Sequence, residues 1–405
     1  MSAESKVAEA SATIEQLLTL DVSDRKTHAE IVEKCRAVIS ALQDPAAVVV
    51  ETLASVTTHP SLVALSNLGI FEKLAAANEP LTGAQLAERT GGDQALIVRL
   101  LRIAAASGIV TETGPQTFAA TGASRMLAIP SFAAGLRLNH RTAELANSLP
   151  AYLAQTENRN ITSYTNGLFQ YHYKTDQGSF EYRASDEAWM TDFNLFMTVP
   201  NNTGNSWPET FDARGKIFAG GAVKINADTP LVVDVAGGMG QDLRRLKEYL
   251  PLGSFTKGQL ILQDQAHVIE SVPADMHDDA FTYVPHNFFG PQPAAYRGAR
   301  VYTLKSVLHD WADEKAVEIL RHIADSLTPG YSKLWILDRI VPETGADKAL
   351  AWLDISMMAI YGALERTQEQ WAGLLQKVGL RIVSVQATPD HFGLIEAELE
   401  TAVLN

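Results

Sequence analysis

The chain is 405 residues long and 46% hydrophobic, with 33 basic against 47 acidic residues and a formal net charge of −14. That length holds about two to three domains with sizeable cores, and the acidity argues against a nucleic-acid partner, because no basic stripe is segregated along it. A single cysteine, Cys35, excludes an internal disulfide, and the polar start MSAESKVAEASATIEQ lacks the apolar run of a secretion signal, so the cytosol is the expected compartment.

From Ala8 to Leu53 the chain is rich in Ala, Leu, Glu and Val at helical spacing, which predicts two amphipathic helices broken near Asp44-Pro45. Helices this apolar need a partner. No window is read as the roughly 20 apolar residues that cross a bilayer, so no membrane partner is expected. Between Pro60 and Met126 the pattern predicts three helices, the second capped around Thr82 and the third by Asp93, followed by two short strands around Gly114-Pro115. That order is a winged helix. Its third helix offers only Arg99 and Arg102 to a groove, so the expectation is a surface that joins subunits rather than one that reads DNA.

Residues 133–207 are dense in aromatic rings, which serve either as core or as the wall of a pocket for a flat, apolar small molecule. Trp189, Phe193 and Met197, together with Met357, Met358 and Tyr361 further on, are the substrate candidates. His140 and Arg141 are either a cationic contact to that substrate or a solvated helix end. The loop around Gly220-Gly221 marks a boundary, giving a dimerisation domain over 1–130, a connecting region over 131–225 and a ligand-binding domain over 226–405.

Beyond Pro230, buried strands alternate with amphipathic helices, which predicts an α/β domain with a parallel sheet covered on both faces. The last run, LRIVSVQATPDHFGLIEAEL, has a connection too short for a crossover helix and is expected to add an antiparallel hairpin at the sheet edge. The first strand ends in Asp234-Val235-Ala236-Gly237-Gly238-Met239-Gly240 directly before a helix, and glycines at such a turn let backbone amides approach a ligand. The spacing is not that of a dinucleotide fingerprint. Asp234 is either a ligand contact or an acceptor for loop amides. Asp264, at the end of the second strand, either accepts ribose hydroxyls or caps the next helix. The run Lys305-Ser306-Val307-Leu308-His309-Asp310-Trp311 places an imidazole beyond the fourth strand, where it can take a proton from an acidic hydroxyl. Asp338 and Glu365 are the carboxylates available to orient it. The acids show no His/Cys ligand spacing, and no metal is expected.

The runs DVAGGMG, LILQD, HNFF, LKSVLHDW and ERTQEQW, in this order, resemble the plant and fungal small-molecule O-methyltransferases that use S-adenosylmethionine. The resemblance implies a Rossmann-like class I methyltransferase sheet preceded by a mainly helical, winged-helix dimerisation domain, and a homodimer. It further implies that Gly237, Gly238 and Gly240 lie under the methionine part of the cofactor, that Asp264 holds the ribose, that Asn287 and Phe288 border the adenine, and that Lys305 sits near the sulfonium. His309 would be the base, with Asp338 and Glu365 behind it. Four positions depart from the family pattern: Ala236 replaces a common glycine, Asn287 an aspartate, Lys305 an arginine and Gln265 a leucine. These departures surround the cofactor, and some fungal members of the fold are pericyclases or cyclases of natural-product pathways. A pericyclase is therefore the second expectation, and a ligand-sensing DNA-binding regulator the third.

Overall fold

The structure is a computed structural model that describes residues 25–197, 199, 206–218 and 229–400. The predicted boundary at Gly220-Gly221 and the start of the first predicted helix lie outside the described residues. The chain divides into two compact units, Met1–His140 and Arg141–Asn405, the division falling within the helix Pro130–Ala146.

In the first unit, helices Arg25–Leu42 and Pro45–Asn67 break at Asp44, whose carboxylate accepts from the Ala46 N–H at 2.9 Å with Pro45 opening the second helix. Strand β1 (Leu81–Thr82) leads into helix Gly83–Thr90 through a reciprocal cap between Thr82 and Gln85. Asp93 caps helix Gln94–Ala106 by accepting from the Leu96 N–H at 2.8 Å. Strands β2 (Val110–Gly114) and β3 (Thr117–Ala120) form the hairpin, and β3 lies between β1 and β2. Leu65, Phe71, Leu86, Ile97, Leu101 and Phe118 fill the core of this unit.

The expectation that no stretch is long and apolar enough to cross a bilayer is corrected here. Helix Pro45–Asn67 is long and apolar enough, by length and composition, to cross a membrane. Searching for an unbroken apolar run passes over it, because Glu51, His59 and Pro60 interrupt a stretch whose average is still strongly apolar. Val49, Val50, Leu53 and Val56 on this helix are exposed.

The second unit is built on strands β4 (Val232–Val235), β5 (Leu260–Asp264), β6 (Phe281–Pro285), β7 (Val301–Lys305), β8 (Lys333–Val341), β10 (Leu380–Ala387) and β11 (Phe392–Leu399), ordered β10-β11-β8-β7-β4-β5-β6. The two-residue β9 (Arg366–Thr367) pairs with the end of β8. Strands β4 to β8 pair in parallel, while β11 runs antiparallel to both β8 and β10, so the predicted edge hairpin is present. Every residue of β4 is buried, as a central strand covered on both faces requires. The chain winds outward from β4 through β5 to β6 and then returns to the other side of β4 as β7. That reversal opens a crevice beyond the carboxyl ends of β4 and β7, where ligands of open α/β sheets bind.

Candidate active site

The turn leaving β4 is shaped by three glycines that serve different needs. A Cβ on Gly237 would lie 2.4 Å from Asp234 Oδ2 and 2.5 Å from a Leu262 methyl, so only hydrogen fits there. Gly238 and Gly240 have φ of 59° and 79°. Ala236 also has φ of 58°, a left-handed conformation that costs an L-residue about 1 kcal/mol, and Ser306 beyond β7 shares it at 52°. Strained backbone thus sits at both strand tips that frame the crevice. Asp264 accepts from the Gly238 N–H at 2.9 Å and from the Gln265 N–H at 2.7 Å, tying the end of β5 to the glycine turn. Burial raises its pKa against those two bonds.

Asp234 is buried, accepts from the Thr303 hydroxyl at 2.6 Å through Oδ1, and leaves Oδ2 without a partner among the described residues. Burial pushes its carboxyl up to about 7. Lys305 donates to Asp242 at 2.9 Å, and Asp242 also accepts from the Trp207 indole at 3.1 Å. Asn287 is exposed and folds back to accept from the Phe289 N–H at 3.0 Å, while the half-buried Phe288 packs edge-on against Trp311 with centroids 5.9 Å apart.

His309 stands on a 3-10 turn, Leu308–Asp310, just after β7. Its Nδ1 lies 2.7 Å from Glu365 Oε1 and 3.6 Å from Asp338 Oδ1, and its Nε2 lies 3.6 Å from Asp310 Oδ1. Asp338 lies within β8, which continues to Val341, and follows the last residue paired with β7. Burial alone would lower the His309 pKa, but Asp338, Asp310 and Glu365 outweigh it and hold the pKa well above 6.5. The acids respond in kind: burial pushes Asp310 up to about 6 and raises Asp338, with the His309 charge opposing both. Asp338 Oδ2 and Glu365 Oε2 are buried without partners among the described residues. The ligand-type atoms of His309, Asp338 and Glu365 lie within 4.8 Å of one another, a spacing that a metal ion could also use. The 2.7 Å contact has the length of a charge-assisted hydrogen bond, which a cation would have to displace.

Arg366, unremarked in the sequence beyond its place in the ERT run, explains why that run accompanies HDW. Fully buried, it donates to the carbonyls of Leu308 at 2.9 Å and Trp311 at 2.7 Å, and to Asp313 at 3.0 Å. The turn that carries His309 is therefore gripped by the residue next to Glu365. Asp354, on helix Lys348–Tyr361, accepts from the Glu365 N–H at 2.8 Å and fixes the other end of the same link.

The substrate candidates divide between places. In the first unit His140 stacks on His59, centroids 5.9 Å apart. Arg141 pairs with Asp186 at 3.3 Å and lies 4.5 Å over Trp189, which is buried against Phe169, Tyr173 and Tyr182. Phe193 and Tyr361 converge on another cation, Arg183, while Met357 is buried beside Tyr361, Met358 is half-buried and Met197 is exposed. Arg183 was marked by no spacing, and only the fold brings it to the His309 cluster; Asp310 stands in the run beside His309, but its contact with Nε2 is seen only in the fold.

The O-methyltransferase domain family matches residues 219–381, and the O-methyltransferase dimerisation domain family matches residues 50–129. "O-methyltransferase penC" of Penicillium thymicola is 32% identical over 381 residues, 93% of this chain and 92% of its own length. This chain belongs to the O-methyltransferase family. Two solved structures cover 98% of this member and 100% of their own chains: "The structure of LepI complex with SAM", 29% identical with a TM-score of 0.85, and "A Pericyclic Reaction enzyme", 28% identical with a TM-score of 0.84.

Proposed function

We propose that this family member is an S-adenosylmethionine-dependent O-methyltransferase acting on the hydroxyl of a small aromatic or polyketide-like molecule in secondary metabolism. The observation that carries the reading is the 2.7 Å contact between His309 and Glu365, set just past β7 with Asp338 behind it. The crevice residues fit the cofactor. Asp264 keeps acceptor capacity for ribose hydroxyls, the orphaned Asp234 Oδ2 lies beside the glycine turn, and Phe288 offers a flat apolar face to a base. When bound, S-adenosylmethionine supplies an activated methyl group on a positively charged sulfur.

The chain's own residues then handle one proton. A phenol near pKa 10 must lose its proton as its oxygen becomes the nucleophile. His309 accepts that proton at Nε2, while Glu365 holds Nδ1–H and stabilises the imidazolium that forms. Asp338 adds negative potential behind the ring. Lys305, neutralised by Asp242, leaves the crevice without a strong net repulsion toward a cationic cofactor. The test is incubation with S-adenosylmethionine and a panel of phenols, reading S-adenosylhomocysteine release. Turnover on at least one phenol is expected, and cofactor uptake with no turnover on any acceptor would remove the reading.

A second reading is a pericyclase on the same fold, supported by the likeness to "A Pericyclic Reaction enzyme". Its support within this chain is cationic: an imidazole with a raised pKa and the buried Arg183 suit polarisation of a carbonyl rather than proton removal. The first unit we read as a winged-helix dimerisation domain and the working form as a cytosolic homodimer, supported by the family match over 50–129 and the exposed valines and leucine of helix Pro45–Asn67.

A further inference from the structure

Arg183 is 4% exposed, on the short helix Ser179–Ala184, and makes no ion pair among the described residues. Its Nε donates to the Ser179 carbonyl at 3.0 Å and its Nη2 to the Tyr361 hydroxyl at 2.8 Å. Phe180, Phe193 and Tyr361 surround the guanidinium at 4.8, 4.7 and 5.3 Å from their ring centroids. Aromatic faces soften the burial of a charge but do not replace an anion. Tyr361 accepts from Arg183 through one lone pair, and its own proton has no acceptor among the described residues. A hydroxyl that accepts from a guanidinium becomes a stronger donor, because the two bonds polarise each other.

This pair lies beside the His309 cluster. Tyr361 stacks on Phe180 at 5.0 Å, and Phe180 stacks on Trp311 at 6.3 Å, the residue after Asp310. Asp310 in turn interacts electrostatically with His309, Arg183 and Tyr361. The Tyr361 hydroxyl and the His309 Nε2, which lies 3.6 Å from Asp310, thus both act on one carboxylate.

We propose that Tyr361, polarised by Arg183, is a specificity-determining donor for acceptors that carry a carbonyl oxygen next to the reacting hydroxyl, such as ortho-acylphenols and their polycyclic counterparts. This rests on the methyltransferase reading. In an ortho-acylphenol the hydroxyl proton is held by the neighbouring carbonyl, which weakens the oxygen as a nucleophile. Tyr361 competes for that carbonyl, and the released proton turns toward His309. Arg183 is a positioning residue in this scheme.

The test uses two acceptors of nearly the same shape, 2-hydroxybenzophenone and 2-benzylphenol, with the full-length protein. A site built to donate to a carbonyl is expected to prefer the ketone by about tenfold or more in kcat/KM, and Tyr361→Phe to bring the ratio within about threefold. Dissociation constants in the presence of S-adenosylhomocysteine give the same ratio without turnover. An intact binding preference with no methylation therefore counts against the methyltransferase reading and not against the subsite. The near-ultraviolet band of the ketone should shift on binding to the wild type and not to Tyr361→Phe. Arg183→Met should reduce both preference and shift, with Arg183→Lys used if the first does not fold. Equal affinity of the wild type for the two acceptors, or an unchanged ratio in Tyr361→Phe, overturns the proposal.

Discussion

A histidine beside three carboxylates is a stronger base than a free imidazole, and its pH behaviour follows from that. Because the His309 pKa is raised, the imidazole that can accept a proton is populated only as pH climbs through that elevated value. The rising limb of kcat/KM should therefore fall above pH 6.5, the unperturbed histidine value. Glu365→Gln should shift the limb to lower pH and depress the plateau, since a neutral amide no longer favours the imidazolium. A limb left in place by that variant would separate Glu365 from the base. His309→Ala should lower kcat by about 100-fold or more, the usual contribution of general base catalysis, with cofactor affinity measured by calorimetry as the control.

Two elements hold the site in shape, and each makes a prediction. The clamp of Arg366 on the Leu308 and Trp311 carbonyls is buried, so Arg366→Met strands two acceptors and should destabilise the protein by about 2–4 kcal/mol, read by denaturant unfolding. The glycine turn is tighter still at one point. Gly237→Ala forces a methyl onto Asp234 and Leu262, and should cost about 1–3 kcal/mol of stability while greatly weakening cofactor uptake. Much at this scale was legible in the sequence: the alternating strands, the edge hairpin, the glycine turn and the two motif runs all lie where periodicity and turn chemistry put them. Arg183 was not, because no local pattern relates it to Tyr361, 178 positions away. Asp310 could be read as part of HDW, but not that its carboxylate faces Nε2. Lys305 was legible as a cation near the crevice, whereas its engagement by Asp242 depends on how the helix after the glycine turn is docked.

Across the whole molecule the buried acids set how stability varies with pH. Asp234, Asp310 and Asp338 have folded pKa values above the unfolded 3.8, so the folded state binds the extra protons, and stability falls as pH rises from that value toward about 7. His309 acts in the same sense, its contribution being present below pH 6.5 and lost as pH passes its raised folded value. Asp234→Asn should flatten the profile, the wild type losing at most about 1.4 kcal/mol per pH unit relative to the variant over that window. Thermal melts from pH 4 to pH 8 would read the difference, and parallel profiles would refute it. The membrane-length helix was missed for a similar reason of scale: an average over Pro45–Asn67 reveals what an unbroken run does not. For the proposed homodimer, Leu53→Asp with Val56→Asp should shift light scattering toward the monomer mass.

The grip of Arg366 has an evolutionary consequence. It seizes main-chain oxygens and is indifferent to which side chain occupies position 309. A lineage can exchange the imidazole for another group without unravelling the loop that presents it. The shape of the loop and the side chain it presents are thereby separable.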